Sequence, residues 1–228
     1  MPQAIDRLVE RWRYRLLLGL AVALLLGQPL LQGSVAGEAA LAALFALTAG
    51  ATGLITRSAS VARPLKLAAP ALWLALHLLA RATDSVAIGA VAFAATLWLV
   101  VQVAWLTVEA LVRERKADGD ALAGAVFGYF MLALAWSQLY AAALLVDPGA
   151  LSVPGTEAGM APAGSDLVYF SLVTVTTLGY GDVLPVTPMA RILAASEAVV
   201  GGLYMAVLIG RIASDLKPGG GRGSGGDA

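Results

Sequence analysis

Along this chain, long apolar runs alternate with short polar connections. Six runs stand out, at roughly 15–32, 38–56, 65–80, 86–112, 120–146 and 189–213. A helix that crosses a bilayer needs about 20 predominantly apolar residues, within a range of about 17–25. The third run, Leu65–Ala80, is marginal at 16 residues. A further run, 165–176, is too short to cross. It fits a re-entrant helix, which lipid tolerates only where protein or water covers it.

The connections carry a charge bias. Arg7, Arg11, Arg13 and Arg15 precede the first run, and Arg57, Arg63 and Lys66 separate the second from the third. Arg113, Arg115 and Lys116 separate the fourth from the fifth, and Arg211, Lys217 and Arg222 follow the sixth. Arg81 and Arg191 fall on the other side. Basic residues accumulate on the cytoplasmic side, so both termini are expected there and the number of spans is even. A competing reading makes the start a signal peptide: Arg11–Arg15, then Leu16–Gly27, then Ser34–Gly37 as a small-residue cleavage site. Cleavage would leave five spans with unchanged sidedness, and the first run is read here as a retained helix.

Composition supports a membrane protein. Of 228 residues, 59% are apolar and 13% charged, with a mean hydropathy of +0.81. Ordinary globular domains carry about 25% charge. The absence of cysteine excludes disulfides and thiolate metal sites. A net charge of zero gives no reason to expect a nucleic-acid partner, and one histidine, His77, cannot build a metal site alone. His77 is expected to be an interhelical hydrogen-bonder. The Gly-rich end, Lys217–Ala228, is expected to be a flexible tail.

One stretch breaks the apolar background: Thr174 to Asp182, reading TVTTLGYGD. It follows the short run and precedes the sixth, so it forms the return half of the re-entrant loop. Gly179 and Gly181 alternate with Leu178 and Tyr180. Glycine enters left-handed backbone freely. Alternating ordinary and left-handed residues could aim successive carbonyls the same way, in place of a cation's hydration shell. One loop cannot encircle an ion, so several subunits must contribute. The short helix would point its negative, C-terminal end at the pore.

TTLGYGD, Thr176–Asp182, resembles the selectivity filter of potassium channels, whose carbonyl rings are a standard example of ion selectivity. The resemblance covers about 120–214. It implies that Thr177, Leu178, Gly179 and Tyr180 supply the oxygens that coordinate K⁺, with the Thr177 hydroxyl forming the innermost site. Gly181 would complete the outer turn, and Thr176 and Asp182 would support the filter. The family's subunits form homotetramers in the lipid bilayer. Leu178 stands where valine is more familiar, and offers the same carbonyl. Some relatives carry a carboxylic acid where this chain has Val173, so Asp182 must find other partners. Tyr169–Phe170 matches the usual aromatic pair.

Other polar positions have a functional reading and a plainer one. Asp147, Glu157, Asp166 and Asp182 lie on the expected outer side, with no Lys or Arg between Lys116 and Arg191. They could concentrate cations at the mouth, or be solvated loop acids. Asp166 also suits the first turn of a helix capped by Ser165. Glu197 lies within the sixth run, where an ionisable residue points to function. It is read as bracing the filter, with cation attraction in a cavity as the alternative. Gly201 matches the gating hinge implied by the family, or a close helix contact. Gly124 and Gly128 form a small-residue packing pair.

The fourth run, 86–112, contains no Arg or Lys, which argues against steep voltage gating. Glu109 and Arg113 are spaced to pair at i, i+4. The short Arg113–Asp120 linker predicts an N-terminal bundle packed beside its own subunit's pore.

The expected fold is an all-α membrane protein. Six transmembrane helices carry a re-entrant pore helix and selectivity-filter loop between helices five and six. Residues 1–118 form a four-helix membrane domain, 119–214 the pore domain and 215–228 the tail. The expected function is passive K⁺ conduction, with no covalent chemistry and no organic cofactor. A weakly selective cation channel and the membrane subunit of a potassium uptake transporter are the alternatives. An unknown regulatory partner remains compatible with the sequence.

Overall fold

The computed structural model describes residues 2–55, 63–83, 85–113, 119–156 and 162–210. Among them, seven α-helices dominate: α1 (Pro2–Leu31), α2 (Val35–Ile55), α3 (Arg63–Thr83), α4 (Val86–Arg113), α5 (Gly119–Val146), α6 (Gly164–Val175) and α7 (Pro188–Tyr204). A π-helical turn, Met205–Ile209, continues α7. An unexpected short antiparallel pair, β1 (Leu151–Ser152) and β2 (Leu184–Pro185), ties the segment after α5 to the segment before α7. The Val186 N–H donates to the Ala150 carbonyl at 2.8 Å and extends this tie.

Packing explains the order. On α1, Tyr14, Leu17, Ala21 and Leu24 are buried, a three-and-four spacing that puts them on one stripe. On α2, Ala42, Phe45, Ala49 and Thr52 do the same. Helix α5 is the axis of the chain, packed against α1, α4, α6 and α7. The N-terminal bundle therefore rests on α5 of its own chain. At the start of α5, the Asp120 carboxylate accepts the Tyr14 and Arg15 N–H groups at 3.3 and 3.1 Å and lies 3.8 Å from Arg13 Nε.

Large apolar side chains cover the outside, including Leu30, Val35, Leu72, Val86, Leu145 and Ile192. In water such a surface would be unstable, and lipid removes the penalty. Among the described residues, five helical segments are long and apolar enough to cross a membrane: Trp12–Leu31, Val35–Ile55, Val86–Arg113, Gly119–Val146 and Pro188–Leu208. This is a multi-pass membrane protein. Helix α3 has 21 residues, more than its 16-residue apolar run, because it takes in Arg63 and Lys66 at one end and Arg81 at the other. Lys66, read as a loop residue, is buried in the first turns of α3, where its backbone lies close against Gly53 of α2.

Two side-chain expectations need revision or refinement. His77 stacks on Trp73 of its own helix, with ring centroids 5.1 Å apart, in place of the expected interhelical hydrogen bond. Glu109 and Arg113 do pair, at 3.0 Å. The 114–118 part of the α4–α5 linker, Arg57, Glu157 and the Gly-rich tail lie outside the described residues.

Candidate functional site

Helix α6 has 12 residues, too few to cross a bilayer, and lies between α5 and α7. Its N-cap is Ala163, two residues before the expected Ser165. Asp166 is the third helical residue, and its carboxylate accepts the Ala163 N–H at 3.1 Å. Ser165 therefore lies in the first turn, and the acid caps the start from inside the helix.

At its other end, α6 runs straight into the loop. The N–H groups of Thr176 and Thr177 donate to the Leu172 and Thr174 carbonyls, and that of Leu178 to Val173 at 2.9 Å. The Gly179 N–H reaches the same Val173 oxygen at 3.4 Å. The Val175 carbonyl accepts the Tyr129 hydroxyl of α5 at 2.6 Å. The last carbonyls of the helix, which ordinarily lack partners, are thus satisfied by the loop's own N–H groups and by one tyrosine. The carbonyls of Thr177 to Tyr180 accept no hydrogen bond from the described residues.

The loop backbone alternates. Thr177, Gly179 and Gly181 have φ of 58°, 60° and 78°, while Leu178 and Tyr180 have negative φ. Two of the left-handed positions carry glycine, which enters that region freely. The third is a β-branched threonine, for which such a conformation is a genuine outlier. Strain of this kind costs about 1–3 kcal/mol and gathers at functional sites. All residues from Thr176 to Asp182 are exposed in the single chain.

Asp182 finds the partners that Val173 denies it. The Tyr169 hydroxyl donates to one carboxylate oxygen at 2.6 Å, and the Val183 N–H donates to the other at 3.0 Å. The Tyr169 bond, reinforced by these N–H groups, holds the Asp182 carboxyl below the usual carboxylate range. Tyr169 was noted only as half of an aromatic pair. Asp147 accepts the Gly149 N–H at 2.9 Å in a local turn, which favours its plainer reading.

Behind the loop, α7 presents Ala190, Glu197 and Gly201 as its buried residues, on one face at intervals of seven and four. Glu197 is fully buried and bonded to Tyr140 of α5 and Ser171 of α6. Sequence reading singled out Glu197 but neither partner, since one hydroxyl in an apolar helix carries little signal by itself. Gly201 lies against the end of α6: a Cβ there would meet Val175 Cγ2 at 2.5 Å and the Val175 carbonyl at 2.8 Å. That contact fits the close-packing reading of Gly201. Gly202 has open space around it.

Residues 126–217, which contain α6, the loop and α7, match the family described as "Ion channel". A rice (Oryza sativa subsp. japonica) protein, "Two pore potassium channel c", is 35% identical over 28% of this chain and 14% of its own length. A "Voltage-gated potassium channel" of Aeropyrum pernix is 35% identical over 22% of this chain and 17% of its own. Residues 126–217 are thus similar to ion-channel domains, and shorter stretches of the chain to potassium channels. An uncharacterized protein of Methanothermus fervidus is 30% identical over 34% of this chain and 12% of its own length. The chain thus spans under a fifth of each of these potassium-channel-like relatives or of the uncharacterized one. No solved structure matches it. The named matches are ion channels, which are not enzymes.

Proposed function

We propose that the chain is the subunit of a homotetrameric, K⁺-selective channel. Four copies of Thr177 to Tyr180 line one axis, and their carbonyls take the place of the ion's water. The Thr177 hydroxyl supplies the innermost site, and Gly181 turns the chain away at the outer end. The observation that carries this reading is the alternating backbone at 177, 179 and 181, which includes a strained threonine. Carbonyls that lack hydrogen-bond partners are costly in a membrane unless something else binds them, and a dehydrated cation does so.

The exposed face of α7 supports assembly. Met189, Ile192, Val199, Leu203, Met205 and Val207 are exposed in the single chain, and this face is available to neighbouring copies. On this reading α3 is a sixth span, α6 is re-entrant, and both termini face the cytoplasm of the cell membrane. Residues 1–118 form a four-helix domain beside the pore of 119–214. The Arg- and Lys-free stretch of α4 gives no steep voltage gating.

Flux into liposomes driven by K⁺ or Na⁺ gradients tests the proposal. K⁺ flux should exceed Na⁺ flux clearly. Equal fluxes would leave a weakly selective cation channel of the same build. Mass measurement in detergent or lipid should give four copies, and a stable monomer or trimer would contradict the shared axis.

A further inference from the structure

Glu197, Tyr140, Ser171 and Ala133 form a short chain of polar atoms across three helices. The Tyr140 hydroxyl is 2.6 Å from Glu197 Oε2. Glu197 Oε1 is in hydrogen-bond contact with Ser171 Oγ. Ser171 Oγ is 2.6 Å from the Ala133 carbonyl of α5. Glu197 and Ser171 are fully buried, and Tyr140 is as well.

The protons in this chain can be counted. Three short oxygen–oxygen contacts each need one hydrogen. A carbonyl oxygen and an ionised carboxylate only accept, whereas each hydroxyl donates once. Tyr140 and Ser171 together supply two hydrogens. With Glu197 ionised, the carboxylate and the Ala133 carbonyl would compete for the single Ser171 proton, and one contact would be bare. A third hydrogen on Glu197 satisfies all three: Tyr140 donates to Glu197, Glu197 to Ser171, and Ser171 to Ala133.

The surroundings agree. Among the described residues, Glu197 has no Lys, Arg or His partner. From α5 it is faced by the phenols of Tyr140 and Tyr129. From α6 it meets Ser171, while Asp166 caps its own helix and Tyr169 binds Asp182. On α7 itself, Arg191 donates to the Pro185 carbonyl and Tyr204 to that of Ala125. A buried carboxylate without a cation in this setting is strongly disfavoured.

We propose that Glu197 is carried as the neutral acid, and that its proton is the link clamping α7 to α6 behind the loop. Loss of that proton leaves Ser171 with two competing acceptors and introduces an unpaired charge between α5, α6 and α7. The clamp then releases α6, so conduction falls at alkaline pH. The flux part of this inference rests on the channel reading above. The protonation part does not.

Glutamine tests the count, because its carbonyl can accept from Tyr140 and its NH₂ can donate to Ser171. The first readout is infrared spectroscopy of the intact protein in lipid at neutral pH. The carbonyl stretch of a protonated carboxylic acid should be present, and Glu197→Gln should remove it. Identical spectra for the two would overturn the proposal. The second readout is K⁺ flux, where Glu197→Gln should stay within a few-fold of the parent and Glu197→Ala should lose roughly ten-fold or more. Alkaline pH should reduce parental flux and leave Glu197→Gln flat, since both proteins hold the same tyrosines. A glutamine variant as impaired as the alanine one would show that the charge matters, and would sink the neutral clamp. If the parent itself carries no flux, the channel reading fails and the infrared band alone decides protonation.

Discussion

The two halves of this molecule use their polar side chains differently. In α2 and α4, the hydroxyls of Thr48, Thr52, Thr96 and Thr107 each donate to a carbonyl four residues back in the same helix, at 2.8 Å. In α5 to α7, Ser137 and Ser196 also fold back on their own helices, but the tyrosines and Trp136 reach across. Tyr129 binds the end of α6, Tyr140 binds Glu197, Trp136 binds the Leu193 carbonyl at 3.1 Å, and Tyr204 binds the Ala125 carbonyl at 2.8 Å. A hydroxyl that donates to its own helix spends its proton locally, and of the four threonines Thr96 also accepts the Trp73 Nε1–H of α3 at 2.8 Å. One that bonds across elements fixes their distance and rotation. The α5–α7 half is thereby specified more tightly than apolar packing alone would require, which suits the proposed channel, in which carbonyl positions would decide what is bound.

The largest expected effect breaks the comparison at its most constrained point. Gly179→Ala places a Cβ at φ of 60°, which costs about 1–2 kcal/mol for an L-residue. Relief of that strain by turning the peptide would misdirect a carbonyl. K⁺ flux should fall at least ten-fold in liposomes while the protein still assembles. Unchanged flux would remove Thr177 to Tyr180 from the conduction path.

Next comes the pair Gly201 and Gly202. A methyl at Gly201 collides with the Val175 carbonyl, which Tyr129 already holds in place. Overpacking of this kind costs about 1–3 kcal/mol. Gly201→Ala should lower the melting temperature in detergent, and Gly202→Ala, with open space around it, should change stability by less than about 1 kcal/mol. If Gly201 serves as a hinge alone, its variant should melt like the parent and differ only in flux.

Much of this was legible in the sequence. The apolar runs located α2, α4 and α5 within a few residues, because lipid demands long uninterrupted apolar helices, whereas α1 begins at Pro2, well before its run, and α7 gives way to a π-helical turn after Tyr204. The loop stood out because its glycines and threonines have no place in an apolar span. What sequence could not supply was the pairing. Nothing in the spacing of Tyr140, Ser171 and Glu197 says that three helices bring them together. That Thr177 joins the two glycines in left-handed backbone is equally hidden, since propensity argues against it. The β1–β2 tie was missed because two-residue strands leave no periodicity. Helix α3 outgrew its apolar run because helix continues through Arg63 and Lys66 at one end and Arg81 at the other.

A gentler perturbation separates the loop's outer support from its backbone. Tyr169→Phe removes the bond that does most to keep the Asp182 carboxyl low. A carboxylate with a lowered folded-state value stabilises the mouth above its ordinary value, and that contribution is lost as pH falls through the lowered one. In the variant the folded-state value rises, so the loss should begin at higher pH. Flux measured at stepwise acid pH should therefore decline earlier in Tyr169→Phe than in the parent. Coincident profiles would mean that the Val183 N–H suffices.

The smallest effect should come from the other half. Glu109 and Arg113 form an i, i+4 pair at the end of α4, with the arginine side chain 66% exposed and that of the glutamate 11%. Such pairs contribute about 0.3–0.5 kcal/mol, and salt screens them. Arg113→Ala should leave melting and flux within error of the parent, at low and at high salt alike. A large loss of flux with unchanged melting would mean that the end of α4 does more than pack, and that the N-terminal bundle communicates with the pore through a contact as specific as those between α5, α6 and α7. The comparison between the two halves would then fail at its weakest predicted point, and the bundle would have to be read as part of the gate.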